Sequence, residues 1–347
     1  MAQPSPSVGR GVILSLVSLA LLGVMPIISN LRPAETGALA FAFALSIWQV
    51  VFALPVFGAE LKRGTKGIFG VDLRRRERRR MAAVALLTGA LFGLSTYLYV
   101  LGVEKAGAAN AAIAIQAYPL FAILWESLFL KRRKTAVELT LTAVLIGSLY
   151  YLGTGGTFRM SGLSPWFLVS LGVPLLWSIA HVIIKEELSK TPITPAQVTF
   201  FRVAISSVFL GAVLWVVLPA GLAAGLAAVL QPMSAVMGLV YFLELIVWFY
   251  AVRHIDVSLA SSITTPWPAL TMVLAVPFLG DGIEPYQVVA LTVVVACIYG
   301  LTLAGLRKGK TRSIGLSDLR NSPPPTPAET ASPRSRRRTR SATRPSR

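Results

Sequence analysis

The chain has 347 residues, 54% of them hydrophobic and only 14% charged, with a mean hydropathy of +0.67 and a formal net charge of +18. A soluble domain carries about 25% charged residues, so this composition belongs to a helical membrane protein. One cysteine and two histidines leave no disulfide framework and no Cys/His metal spacing. The basic residues are clustered in short segments, which points to membrane topology and anionic lipid rather than to nucleic acid.

Residues 1–10 carry a single base, Arg10, and read as a cytoplasmic N-terminus. The apolar run that follows has no small-x-small cleavage site before "NLRPAE" and reads as a retained first span. Runs of roughly 20 apolar residues then recur along the chain. Broken at Pro, Gly and charge, they give ten expected helices at about 11–29, 36–58, 81–103, 108–130, 135–153, 165–185, 197–218, 232–252, 258–279 and 284–306. "LPAGLAAGLAAVLQP" (218–232) either extends the seventh helix or forms a short interfacial one.

With the N-terminus cytoplasmic, the inner segments hold 17 Lys and Arg even without the tail, chiefly in "KRGTKGIFGVDLRRRERRR" (62–80) and "KRRK" (131–134). The opposite side holds three: Arg32, Lys105 and Arg159. The positive-inside rule therefore places both termini in the cytoplasm. Residues 307–347, rich in Pro, Ser, Thr and Arg, cannot bury a core and are expected to be a disordered basic tail.

The two halves resemble each other. Shifting 103–152 by 149 positions lays it on 252–301 without a gap, and Val103, Ala111, Pro119, Phe129, Leu130, Val144, Tyr150 and Leu152 meet identical residues. Because five is odd, two five-helix halves (11–153 and 165–306) must lie in opposite orientations. The expected fold is all-α, integral to the membrane, with ten transmembrane helices as two inverted five-helix repeats. That arrangement is typical of secondary transporters, with a mid-membrane site between the halves.

The stretch "EKAGAANAAIAIQAYPLFAILWESLFLKRRKTAVELTLTAVLIGSLYYLG" resembles the last two helices of an EamA-type repeat from the drug/metabolite transporter superfamily. "AVRHIDVSLASSITTPWPALTMVLAVPFLGDGIEPYQVVALTVVVACIYGL" resembles the same region of a second repeat and is the closer match, with its small-residue opening, its proline and its ending at Gly280 and Asp281. The resemblance implies ten-helix transport of small metabolites, often export, and covers about 11–306 in layout. The chain departs from the family pattern at Lys131 and Arg132, where Gly-Glu is usual, and at Gly23, where a tryptophan is frequent. Helix six keeps Trp177 and helix seven keeps Arg202, whereas the matching place in helix two holds Trp48.

A charge at the bilayer centre costs about 2.5–3.5 kcal/mol on insertion scales, so a span keeps one where water, a partner or function offsets it. Glu244 is the deepest acid, with Tyr241 and Trp248 at i−3 and i+4 on its face. The repeat counterparts of that face are Phe92, Ser95 and Tyr99. The carboxylate is expected to face a wet central cavity and titrate during transport, or else to be tied to a neighbouring helix. Arg202 lies at nearly the same depth, and either pairs with Glu244, meets an anionic substrate or reaches the interface. Glu126, one turn from "KRRK", is expected to meet those bases. Trp177 and His181 share a face, and the imidazole suits proton relay or a packing hydrogen bond. Asn110, Gln116 and Tyr118 before Pro119, and Ser262, Thr264, Thr265 and Trp267 before Pro268, form a paired set around prolines. Prolines free backbone carbonyls, which a cavity or a neighbour must satisfy.

The leading expectation is a secondary transporter of a small organic metabolite or drug-like solute, driven by protons or by the solute's own gradient. No "GxxxxGK[ST]" occurs, and no cofactor or metal is expected. The expected partners are a small-molecule substrate and anionic lipid at the basic loops, with no nucleic acid; a homodimer stays open. Competing readings are a nucleotide-sugar or sugar-phosphate carrier, which needs more bases than Arg202, and a lipid-active membrane enzyme, for which "RHID" (253–256) is too little. A structural or sensory subunit would not account for the repeat.

Overall fold

The computed structural model describes residues 7–64, 66–72, 74–128, 135–218, 220–255 and 257–321; "KRRK" (131–134), Asp256 and the segment 322–347 lie outside them, as does the side chain of Glu126. The described structure is helical. In chain order the helices are α1 (Val8–Asn30), α2 (Ala38–Lys62), α3 (Arg75–Ala106), α4 (Ala108–Ile115), α5 (Tyr118–Leu128), α6 (Ala136–Gly153), α7 (Pro165–Lys190), α8 (Pro195–Val217), α9 (Gly221–Val229), α10 (Pro232–His254), α11 (Val257–Thr264), α12 (Trp267–Leu279) and α13 (Pro285–Asn321).

Among the described residues nine stretches are long and apolar enough to cross a membrane. Counting α9 and α10, bent by 74°, as one broken span brings them to ten. Thus "LPAGLAAGLAAVLQP" contains a short separate helix. Two spans are interrupted: α4 gives way to α5 ahead of Pro119, and α11 to α12 around Pro266. Proline lacks the amide that would continue the ladder, so the helix must re-form beyond it. The last helix runs on to Asn321, past the boundary at 306 expected from hydropathy. Lys and Arg are good helix formers, so the loss of apolar residues does not stop it. The chain divides into a bundle ending at Ala304 and a second unit beginning at Gly305. Every candidate functional residue lies in the bundle.

Local chemistry sets the helix starts. Thr135 and Glu138 form a reciprocal capping box at α6, and Thr194 and Gln197 do so at α8, where Pro195 occupies the first turn. The helices then pack across the halves: α1 lies along α10, α3 along α7 and α8, α2 along α8, and α4 against α12. The central core gathers Phe41, Leu45, Tyr99, Val103, Tyr241 and Trp267.

One end of the bundle is tied at Gln197, whose Nε2 donates to the Lys66 carbonyl at 2.9 Å while its Oε1 accepts from the Ile68 amide at 3.1 Å. His254 Nδ1 accepts from the Ser7 amide at the same end. This end also carries the exposed arginines of 74–80. At the opposite end the Arg32 guanidinium meets the Glu104 carboxylate and donates to the Ser29 and Thr36 carbonyls. Burial pushes the Arg32 guanidinium below its ordinary value, and Glu104 pushes it back up. Arg32 and Lys105, read from the sequence only as topology markers, both bond Glu104.

Close approach of α3 to α8 depends on "GALFG" (89–93). A Cβ on Gly89 would stand 2.5 Å from Ile205, and one on Gly93 would stand 2.8 Å from Phe209. The Ser206 hydroxyl donates to the Gly89 carbonyl at 2.7 Å, buried between the two helices. Small residues four apart let helix backbones meet where lipid supplies no hydrophobic drive. Gly89→Ala should therefore destabilise the purified protein by about 1–3 kcal/mol through overpacking. Gly147→Ala, with open space at its Cβ, should leave the thermal unfolding midpoint unchanged.

Candidate functional site

Counting 1.5 Å per residue from the end marked by Ser7 and His254, Arg202 lies about 10 Å along α8, while Ser18 on α1 and Glu244 on α10 each lie about 15 Å in. His181 on α7 falls in the same layer. These four polar side chains come from four helices, and the aromatic residues of α3 stand among them.

Glu244 is 8% exposed, and its Oε1 accepts a 3.0 Å hydrogen bond from Ser18 Oγ. It does not face a wet cavity in this conformation, because α1 packs along α10 and closes over it. Arg202 shares electrostatic surroundings with Glu244 and Tyr241, yet no ion pair joins it to an acid among the described residues. Instead its guanidinium carbon stands 3.5 Å from the centroid of Phe92. A guanidinium on an aromatic face gains attraction from the ring quadrupole without surrendering its hydrogen-bond donors. Of the alternatives open for Arg202, a direct ion pair with Glu244 is thus not the one formed here; the stack takes its place.

The ring of His181 is 5.4 Å from that of Phe92 and 5.8 Å from that of Tyr118, at the break between α4 and α5. Trp177, one turn earlier on α7, donates from Nε1 to Ser95 Oγ at 2.9 Å. Ser95 in turn donates to the Phe92 carbonyl. The hydroxyls of Tyr99 and Tyr241 are buried, and that of Tyr241 lies beside Thr96 and the Arg202 guanidinium. The two hydroxyls and the stacked arginine give this layer a polar lining.

The repeat-related faces therefore meet: Phe92, Ser95 and Tyr99 on α3 stand close to Tyr241 on α10 and Arg202 on α8. Trp248 is only partly buried, and among the described residues no hydrogen bond or ring contact ties it to the carboxylate.

The two interrupted spans touch at their breaks. Gln116 Nε2 donates to the Thr265 carbonyl at 2.7 Å. Those residues are separated by 149 positions, the same as the repeat shift, so equivalent points of the halves meet. The carbonyl is available because the Ala269 amide bonds Pro266 instead of Thr265. Thr264 and Thr265 donate their hydroxyls to the Ser261 carbonyl of their own helix, and Trp267 is buried in the central core. Asn110 belongs elsewhere. It accepts from Gln287 Nε2 at 3.0 Å and, with Asp281, lines a cavity of about 180 Å³ at the end opposite the arginines.

Sequence reading did not single out Ser18, the hydrogen-bond donor to Glu244. Its available signal was the pair Ser15 and Ser18, one turn apart in an otherwise apolar span. Gly23 is likewise explained by packing: a Cβ there would stand 2.6 Å from Leu270, and its carbonyl accepts from Thr271 Oγ1. A tryptophan has no room beside α12 in this arrangement.

The pattern of the EamA-like transporter family matches this chain twice, over residues 9–154 and 164–303. The chain is also 26% identical over 223 residues to a protein of Streptantibioticus cattleyicolor described as a probable terminal-alkyne amino-acid exporter, covering 62% of this chain and 71% of that one. A solved crystal structure with no functional title superposes at a TM-score of 0.51 with 16% identity, over 86% of this chain and 98% of the other, a likeness of fold alone. The chain belongs to the EamA-like transporter family and is a multi-pass membrane transporter.

Gln116→Leu leaves the buried Thr265 carbonyl without its donor. The loss should be about 0.6–1.7 kcal/mol, the span measured for interhelical hydrogen bonds in membranes. Thr264→Val, which removes only a bond within α11, should shift thermal unfolding far less.

Proposed function

We propose that this chain is a secondary exporter of a small organic solute, working by alternating access in the cell membrane with both termini cytoplasmic. Its two halves are inverted five-helix repeats, and the solute site lies in the layer formed by Phe92, Tyr99, His181, Arg202, Tyr241 and Glu244. The chain acts as a carrier and not as an enzyme.

The observation that carries this reading is the stack of Arg202 on Phe92 beside buried Glu244, within a chain whose halves each match the transporter family. A cation and an acid are kept apart in one apolar layer, so each has unused capacity for an ionic group of a solute. The aromatic rings supply walls for an apolar body, the usual division of labour in a small-molecule site. The similar protein from Streptantibioticus cattleyicolor is described as an exporter, which favours outward transport. Export against a gradient needs a coupled ion, and Glu244 is the carboxylate placed to exchange a proton between the two faces.

Exometabolome comparison tests this. Cells expressing wild type should accumulate one solute outside, relative to empty vector. Glu244→Gln, at equal membrane level, should cut its export at least tenfold. Equal export by both proteins would remove the carboxylate from the mechanism, and no accumulated solute at all would contradict the export reading.

A further inference from the structure

A cleft between α3, α7 and α8 leads from the basic end of the bundle to the guanidinium of Arg202. Its walls are Met81, Val84 and Ala85 on α3, Ile184 on α7, and Val198 and Phe201 on α8; Thr88 and Arg202 supply the polar groups. From Met81 to Thr88 is seven residues, about 10 Å along the helix. The volume is about 50 Å³, room for a carboxylate-sized head, and one side of the cleft is open. Exposed Leu86, Leu87 and Val182 stand on the helices beside it. The exposed arginines Arg75, Arg76, Arg78 and Arg79 lie in the first two turns of α3, just before Met81.

The walls are held in place. Phe201 packs against Phe57 and Phe69, with ring centroids 6.1 and 6.2 Å away, and Phe57 stacks on Phe200 at 4.5 Å. Gln197, one turn before Phe201, is bonded to both Lys66 and Ile68. The cleft is therefore a braced feature of the fold with positive charge at both ends and hydrocarbon between.

We infer that this cleft is the intake route for a small aliphatic carboxylate, which enters head first from the basic end and sets its anionic group on Arg202. This deepens the transport reading and rests on it. Charge selects the occupant. The guanidinium has no ion-pair partner among the described residues, and a carboxylate matches the fork of donors along its edge. The apolar walls accept a short tail and give a doubly charged or sugar-like solute nothing to bond. The arginines just before Met81 concentrate anions at that end.

The test is saturation-transfer NMR on the full-length protein in phosphatidylcholine nanodiscs, with hexanoate as probe and hexylammonium as its cationic counterpart. Wild type should give a saturable hexanoate signal at least tenfold above that for hexylammonium. Arg202→Gln should lose at least tenfold of it, and Arg202→Lys should keep part. Val84→Trp fills the cleft with Arg202 intact, so it should lose the signal too, and it decides the question if Arg202→Gln fails to fold. Equal binding of the two probes, or undiminished hexanoate binding by Val84→Trp, overturns the proposal. If nanodiscs containing phosphatidylglycerol abolish the hexanoate signal, the cleft is a lipid-headgroup site and the solute route is wrong. Each overturning result leaves the exometabolome outcome for wild type untouched, so the route can fail while export stands.

Discussion

The structure depends on how a bilayer-spanning bundle accommodates a guanidinium that hydrocarbon cannot solvate. Arg202 is stacked on Phe92 at 3.5 Å, and Phe92 belongs to the helix that also carries Ser95, Thr96 and Tyr99. Cation–π attraction in a desolvated setting reaches about 2 kcal/mol, comparable to the insertion cost of a charge on translocon scales. That stack requires α3 and α8 to approach closely, which Gly89 and Gly93 permit. It also frees Glu244 from pairing with the arginine, so the carboxylate turns to Ser18 on α1. A direct Arg202–Glu244 pair would have neutralised both groups. Held apart, they form two poles of one layer.

The second constraint is symmetry. The Gln116–Thr265 contact joins residues that the repeat makes equivalent, and each lies where its span is broken. This hydrogen bond ties the two halves together where both spans are broken. The two ends are fastened by different chemistry. Gln197 clasps the 66–68 backbone at the basic end, whereas Arg32, Glu104 and Lys105 form an ionic knot at the other. The proposed alternating access calls for ends that open independently, and dissimilar fastenings are compatible with it.

Much of the fold was legible because apolar length is a strong signal. The ten runs read from hydropathy correspond to the nine stretches and the bent pair of the structure, since each must satisfy its backbone within itself. The family was legible from the residues around Pro119 and Pro268. What could not be read was register across helices distant in sequence. Ser18 and Glu244 are 226 residues apart, and nothing local to either indicates the other. Charges beyond the ends of the spans were read as orientation markers, a statistical use that ignores pairing, and so Arg32 was separated from Glu104. Depth along the helices correctly put Arg202 near Glu244, but depth says nothing of rotation, and rotation turned the guanidinium toward Phe92. The end of α13 was missed because hydropathy reports where a membrane stops, not where a helix does.

We propose that the Arg202–Glu244 layer is reached from both faces of the membrane in turn. The chain has one native cysteine, Cys297, so a clean thiol background needs only Cys297→Ser. Ser18→Cys in that background replaces the donor to Glu244 with a group of nearly the same size. Its labelling by a membrane-impermeant maleimide should be measured in right-side-out and in inside-out vesicles. The account predicts labelling from each side, with the transported solute slowing both. Labelling from one side alone, or from neither, would contradict alternating access to this layer.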